Sequence, residues 1–116
     1  MNKILVEVSV GELLDKISIL EIKQDKIKDP EKLKFIKDEH SILNDQLNKN
    51  IKSDEKINNL FSSLKEINAK LWVIEDEKRQ CEKDQNFSGK FIKLSRDVHF
   101  LNDDRAKIKL EINNYT

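Results

Sequence analysis

Hydrophobic positions recur along most of the chain at steps of three and four residues, the spacing of amphipathic helices. At 100° per residue, Val10, Leu13, Leu14, Ile17, Leu20 and Ile27 fall on one stripe. Leu33, Ile36, Leu43 and Leu47 form a second stripe with His40 among them, and Ile57, Leu60, Phe61, Leu64, Ile67 and Leu71 form a third. Phe91, Leu94, Val98, Leu101, Ile108 and Ile112 form a fourth. Start and stop signals divide these stripes. Ser9-Val10-Gly11-Glu12 has capping-box spacing, with Ser9 as N-cap and Glu12 reaching back. Asp29-Pro30 opens a second helix, Asp as cap and Pro at the first helical position. Asn50 to Ser53 interrupt the pattern, Ser53 caps the third helix, and Ser88-Gly89 marks a tight connection. The predicted helices span about 10–28, 30–49, 54–85 and 88–113. Connections this short make neighbours antiparallel. The predicted fold is all-α: two antiparallel helical hairpins, one short and one long, in a single domain over 1–116.

Residues 3–8 keep a different rhythm. Ile4, Val6 and Val8 alternate with Lys3, Leu5 and Glu7, which reads as a short strand. No second strand appears later to satisfy its backbone. Residues 3–8 therefore either pair with the same strand of a second copy or lie as an extended arm over the helices.

Composition narrows the function classes. Basic and acidic residues balance at 22 each, which argues against a nucleic-acid binder carrying a basic stripe. Charged residues make up 38%, yet Ile, Leu, Val and Phe supply 37 of 116 positions, enough for a core. Two Gly and one Pro exclude a turn-rich β architecture. Cys81 is alone, which fits a reducing cytoplasm. No secretory leader and no long apolar stretch is present, so neither a signal peptide nor a membrane span is expected. Lys outnumbers Arg 19 to 3, so Arg79, Arg96 and Arg105 stand out from the basic background.

Polar residues interrupt the inward stripes. Glu21 and Gln24 fall inside the first; Asn68, Glu75, Arg79 and Glu82 continue the third; Asn102 and Arg105 sit within the fourth, with Trp72 alongside. Antiparallel pairing of the long helices brings Arg105 near Asn68 and Trp72, and Glu75 near Asn102. Glu75 and Arg79 have the favoured i, i+4 spacing for an ion pair. Charges turned inward are paired, solvated or waiting for a ligand. Three readings are open: a solvated end of the long hairpin, a polar pocket for a small anionic or hydroxylated ligand, or a dimer interface specified by polar groups. A second, weaker stripe supports a homodimer: Ile19 and Ile22, then Phe35 and Ile42, then Ile92, Phe100 and Leu110 lie opposite the inner faces.

No cofactor or metal site is expected. Asp84, Asn86, Ser88 and Gly89 match half a calcium loop, but Ser95 stands where a bidentate Glu is needed. Two His and one Cys do not make a closed zinc site. Cys81 has no predicted His to activate it.

The run Val8-Ser9-Val10-Gly11-Glu12-Leu13-Leu14-Asp15-Lys16-Ile17, continued by Ile19-Leu20-Glu21-Ile22-Lys23 and Ile27-Lys28-Asp29-Pro30, resembles the opening of a family of short bacterial and phage proteins catalogued as a domain of unknown function. The likeness extends through Leu71-Trp72-x-Ile74-Glu75-Asp76, Phe91-Ile92-x-Leu94, and Val98 with Asn102-Asp103-x-Arg105. The resemblance implies an all-helical fold and, through members that stand beside proteins of surface-glycan synthesis, an association with that chemistry. It also implies importance for Asp15, Lys16, Glu21, Lys23, Asn68, Trp72, Glu75, Asp76, Arg79, Asn102 and Arg105. The chain departs from the pattern at Glu7, where Pro is commoner, and in the 84–89 connection.

These readings combine into one expectation. The chain is a non-enzymatic binding or assembly module and a homodimer. Glu75, Arg79, Asn102 and Arg105 hold the ligand, Asn68 lies beside them, Glu21 and Lys23 approach from the first helix, and Trp72 forms a wall. The alternatives are a small helical enzyme that positions an anionic substrate electrostatically, in the style of chorismate-mutase bundles, and a purely structural dimerisation module.

Overall fold

A computed structural model describes residues 2–116. Four helices account for most of them: α1 (Val10–Lys26), α2 (Pro30–Asn50), α3 (Glu55–Lys83) and α4 (Gly89–Tyr115). The starts of the first three have visible physical causes. Ser9 Oγ accepts from the Glu12 amide at 3.1 Å, and Asp29 Oδ1 accepts from the Glu31 amide at 3.1 Å ahead of Pro30. The cap of α3 is Asp54 rather than the expected Ser53: its carboxylate accepts from the Ile57 amide at 2.8 Å. A carboxylate also interacts favourably with the positive end of the helix dipole, and Ser53 turns instead to Asn58. Glu12 does not reach back to complete a capping box; it pairs with Lys109 on α4. Between α3 and α4 the sharp reversal is made by Gln85, in the left-handed region at φ 56°, not by Gly89.

No strand forms among the described residues, and residues 3–8 are exposed without regular structure. A lone strand has nothing to bond with, so the predicted alternation finds neither a sheet nor a covering position over the helices.

Helix α1 is the hub. It packs against α2, α3 and α4, while α2 packs principally against α1. The long helices α3 and α4 also pack on each other: Tyr115 near the end of α4 donates to Asp54 ahead of α3, and Lys78 near the end of α3 lies over the Phe91 ring near the start of α4. The core cluster is Leu14, Ile57, Leu64 and Ile112, with Val10, Leu47, Leu60, Phe61 and Ile108 against it. Three-sided packing overturns the expectation that Ile19 and Ile22 face outward, because Ile22 is buried and Ile19 half-buried. Phe35, Ile42, Ile92, Phe100 and Leu110 do lie on the exposed side. No helix among the described residues is long and apolar enough to cross a membrane.

Close approach of α1 and α4 depends on a glycine. A Cβ at Gly11 would sit 2.6 Å from the Lys109 carbonyl oxygen, and the Gly11 amide donates to Asn113 Oδ1 at 2.7 Å. This contact sets the depth at which α1 lies against α4, and so the position of the next residue on the same stripe, Asp15.

Candidate functional site

Gly11, Asp15, Ser18 and Ile22 succeed one another at steps of four, three and four, so they share a stripe of α1. All four are buried. Asp15 is only 1% exposed, and a carboxylate taken out of water must be met by donors. Arg105 on α4 supplies two: Nε donates to Oδ1 at 3.0 Å and Nη2 to Oδ2 at 2.5 Å. Asn68 on α3 donates through Nδ2 both to Asp15 Oδ1 and to Ser18 Oγ, each at 2.8 Å. Ser18 Oγ donates onward to the Asp15 carbonyl at 2.7 Å. Lys109 Nζ, one turn along α4, lies 3.5 Å from Asp15 Oδ2 and donates to Glu12 Oε2 at 2.6 Å. Two carboxylates face two cations, and no buried side-chain nitrogen or oxygen among the described residues lacks a partner.

Burial by itself pushes the Asp15 carboxyl upward. The hydrogen bonds from Arg105 and Asn68 and the charges of Arg105 and Lys109 outweigh it and hold the group below the ordinary carboxylate value. The bond to Asp15 raises Arg105 against its own desolvation.

Arg105 is not sealed in; its side chain is 28% exposed. Its Nη1 donates to Asn102 Oδ1 at 3.3 Å, and Asn102 itself is exposed. A second network ties α2 to the bundle: Glu21 accepts from Lys65 Nζ at 3.0 Å and lies 3.1 Å from His40 Nε2.

The residues singled out from sequence therefore divide. Asn68 and Arg105 meet at Asp15, with Asn102 at the rim. Glu21 lies in the His40–Lys65 network instead. Lys23, Trp72 and Glu75 are half-buried. Arg79 stands apart: it is 71% exposed and pairs with Asp76 on its own helix at 2.9 Å, not with Glu75. The stripe geometry does not mark Asp15, Ser18, Glu12 or Lys109. A usable signal exists in the small residues Gly11 and Ser18 bracketing Asp15, which allow two other helices to approach one carboxylate.

A profile of the family described as "Family of unknown function (DUF6165)" matches residues 4–116. No curated protein and no solved structure matches the chain.

Proposed function

This chain belongs to that family of unknown function, and we propose that it is a non-enzymatic binding module that takes a small anion, or the anionic group of a larger ligand, on the outer edge of Arg105. The observation that carries this reading is the count of Arg105 donors. A guanidinium has five N–H groups in a fixed fork. Asp15 takes the Nε and Nη2 side, and Asn102 takes one from Nη1. One N–H on Nη1 and one on Nη2 are left over on a partly exposed group. That pair matches a carboxylate or phosphate end-on, and the grip of Asp15 fixes its direction before any ligand arrives. Asn102 supplies an amide beside it. Arg79, turned to Asp76, is left out of this version of the site.

The groups around Arg105 pair with one another and present no free base or activated nucleophile, which favours binding over turnover. We further infer two antiparallel hairpins, supported by the contacts that join opposite ends of α3 and α4. A cytoplasmic location and a homodimeric state complete the proposal, the former supported by the lone Cys81 and the latter by the exposed apolar side chains.

The test is a melting-shift series with inorganic phosphate, dicarboxylates and nucleoside diphosphates, sugar-linked ones included. A saturable upward shift is expected in the natural chain for at least one of these anions. It should be lost in Asn102→Asp, which places a carboxylate of the anion's own sign beside the free edge and on Arg105 Nη1, while Asp15 keeps its own two acceptors for Nε and Nη2. An absence of any shift, or an equal shift in Asn102→Asp, rejects the reading.

A further inference from the structure

Helices α2 and α3 both pack on α1, but their backbones do not pack on each other. A half-enclosed cleft of about 220 Å³ is left between them. Its floor is α1, through Leu14, Ile17 and Glu21. Leu47 with Asn44 and Asn48 forms the α2 wall, and Phe61 with Ile57 and Asn58 forms the α3 wall. Ile51 and Ser53, in the connection between the two helices, close one end. At the other end Glu21 holds Lys65 of α3 at 3.0 Å and lies 3.1 Å from His40 of α2.

The side that α2 turns to this cleft carries an amide without a partner. Ile36, His40, Asn44 and Leu47 follow one another at steps of four, four and three, so they share one face of the helix. Ile36 is buried, and His40 is taken by Glu21. Asn44, one turn from each of His40 and Leu47, is half-buried, and no protein group among the described residues meets its amide. An inward amide in that position is costly unless something bonds to it. The mouth repeats the same chemistry. Asn48 is an exposed amide, and Asn58 Oδ1 accepts from Ser53 Oγ at 3.0 Å, which leaves the Asn58 N–H groups free.

We propose that this cleft binds one neutral polyhydroxy ring of monosaccharide size. Charge selects against ions, because the charged group in the lining is Glu21 and both its oxygens are engaged. Hydroxyl groups donate and accept, as do the amides and the Ser53 hydroxyl around the cleft. The carbon face of the ring has Ile17, Leu47 and Phe61 to lie on, an apolar surface with a few placed polar groups. The volume falls below the roughly 300 Å³ at which drug-sized ligands begin to fit, which limits the occupant to a single ring. The inference does not rest on the Arg105 site.

The experiment is a nuclear magnetic resonance titration of the nitrogen-labelled full chain with myo-inositol, glucose and galactose, each to high millimolar concentration. At least one should give saturable shifts at the Asn44, Asn48 and Asn58 side-chain amides. Asn44→Leu removes an amide with no protein partner, so its melting temperature should hold or rise while the dissociation constant for that polyol increases about tenfold or more. Asn48→Trp, at an exposed position, should block the mouth and give the same loss. Absence of shifts with all three polyols overturns the proposal, leaving the amides to water. Equal shifts in a folded Asn44→Leu chain overturn it too. Indole shifting the cleft signals where the polyols do not makes the cleft an apolar cavity, and inorganic phosphate shifting them makes it an anion site; either result rejects a neutral polyhydroxy ligand.

Discussion

Arg105 closes on Asp15 with two side-by-side hydrogen bonds across ninety residues of chain. The pair joins the third turn from the end of α4 to the second turn of α1, and Asn68 inserts from α3 to bind the same carboxylate. Three helices are thus held at one buried charge.

Removal of Arg105 leaves that charge short of its main partner. Arg105→Ala should lower stability by about 3 kcal/mol or more in urea unfolding, the range for breaking a buried ion pair from one side. Arg79→Ala, which removes an exposed pair on one helix, should change it by less than about 0.5 kcal/mol. Equal effects of the two substitutions would mean that the Asp15 pair is not holding the helices.

The same pair sets an acid limb. Asp15 titrates lower in the folded chain than in the unfolded one. Its contribution is therefore fully present above the ordinary carboxylate value of about 3.9 and is lost as pH falls through the folded value. Stability measured from about pH 6 down to about pH 2 should drop along this limb. In Asp15→Asn the drop should be shallower, from a lower starting stability.

Gly11 and Gly89 should respond in opposite ways to alanine. At Gly11 the new methyl meets backbone at 2.6 Å, so α1 and α4 must part; a loss of about 2 kcal/mol or more is expected despite the better helix propensity. At Gly89 nothing lies within 4 Å, and the substitution should be neutral or stabilise by up to about 1 kcal/mol. Thermal melts of the two variants side by side decide this.

Helix α2 should loosen separately from the rest. It packs principally on α1, and the Glu21–His40 contact is a polar tie between them. Glu21→Gln should speed amide exchange in α2 several-fold while α3 and α4 keep their protection. A uniform rise across all helices would show that α2 opens only with the whole domain.

Helix boundaries are legible in the sequence because they rest on local chemistry. Asp29-Pro30, Ser9 and the acidic start of α3 act within one turn of themselves. Distant packing sets the features that resist reading. A search for one apolar stripe per helix assumes one buried side, and α1 packs on three helices. Asp15 and Ser18 are polar and Ile22 lies off the main stripe, so none of the three enters the predicted inner face, yet all are buried. The scarcity of arginine does point to Arg105. Arg79 continues the stripe of α3 that carries Asn68, yet it stands in solvent paired to its own helix, a placement that periodicity alone does not reveal.

Helix α1 is made early and completed late. Ribosomes add about 5–20 residues each second, so Asp15 exists for roughly 5–18 s before Arg105 is polymerised. In that interval α2 is the first neighbour to arrive, and the charge on α1 stays in water until the last helix delivers its counterion. Truncation before α3 would therefore strand the hub of the bundle with a carboxylate and an apolar flank that α2 alone does not cover.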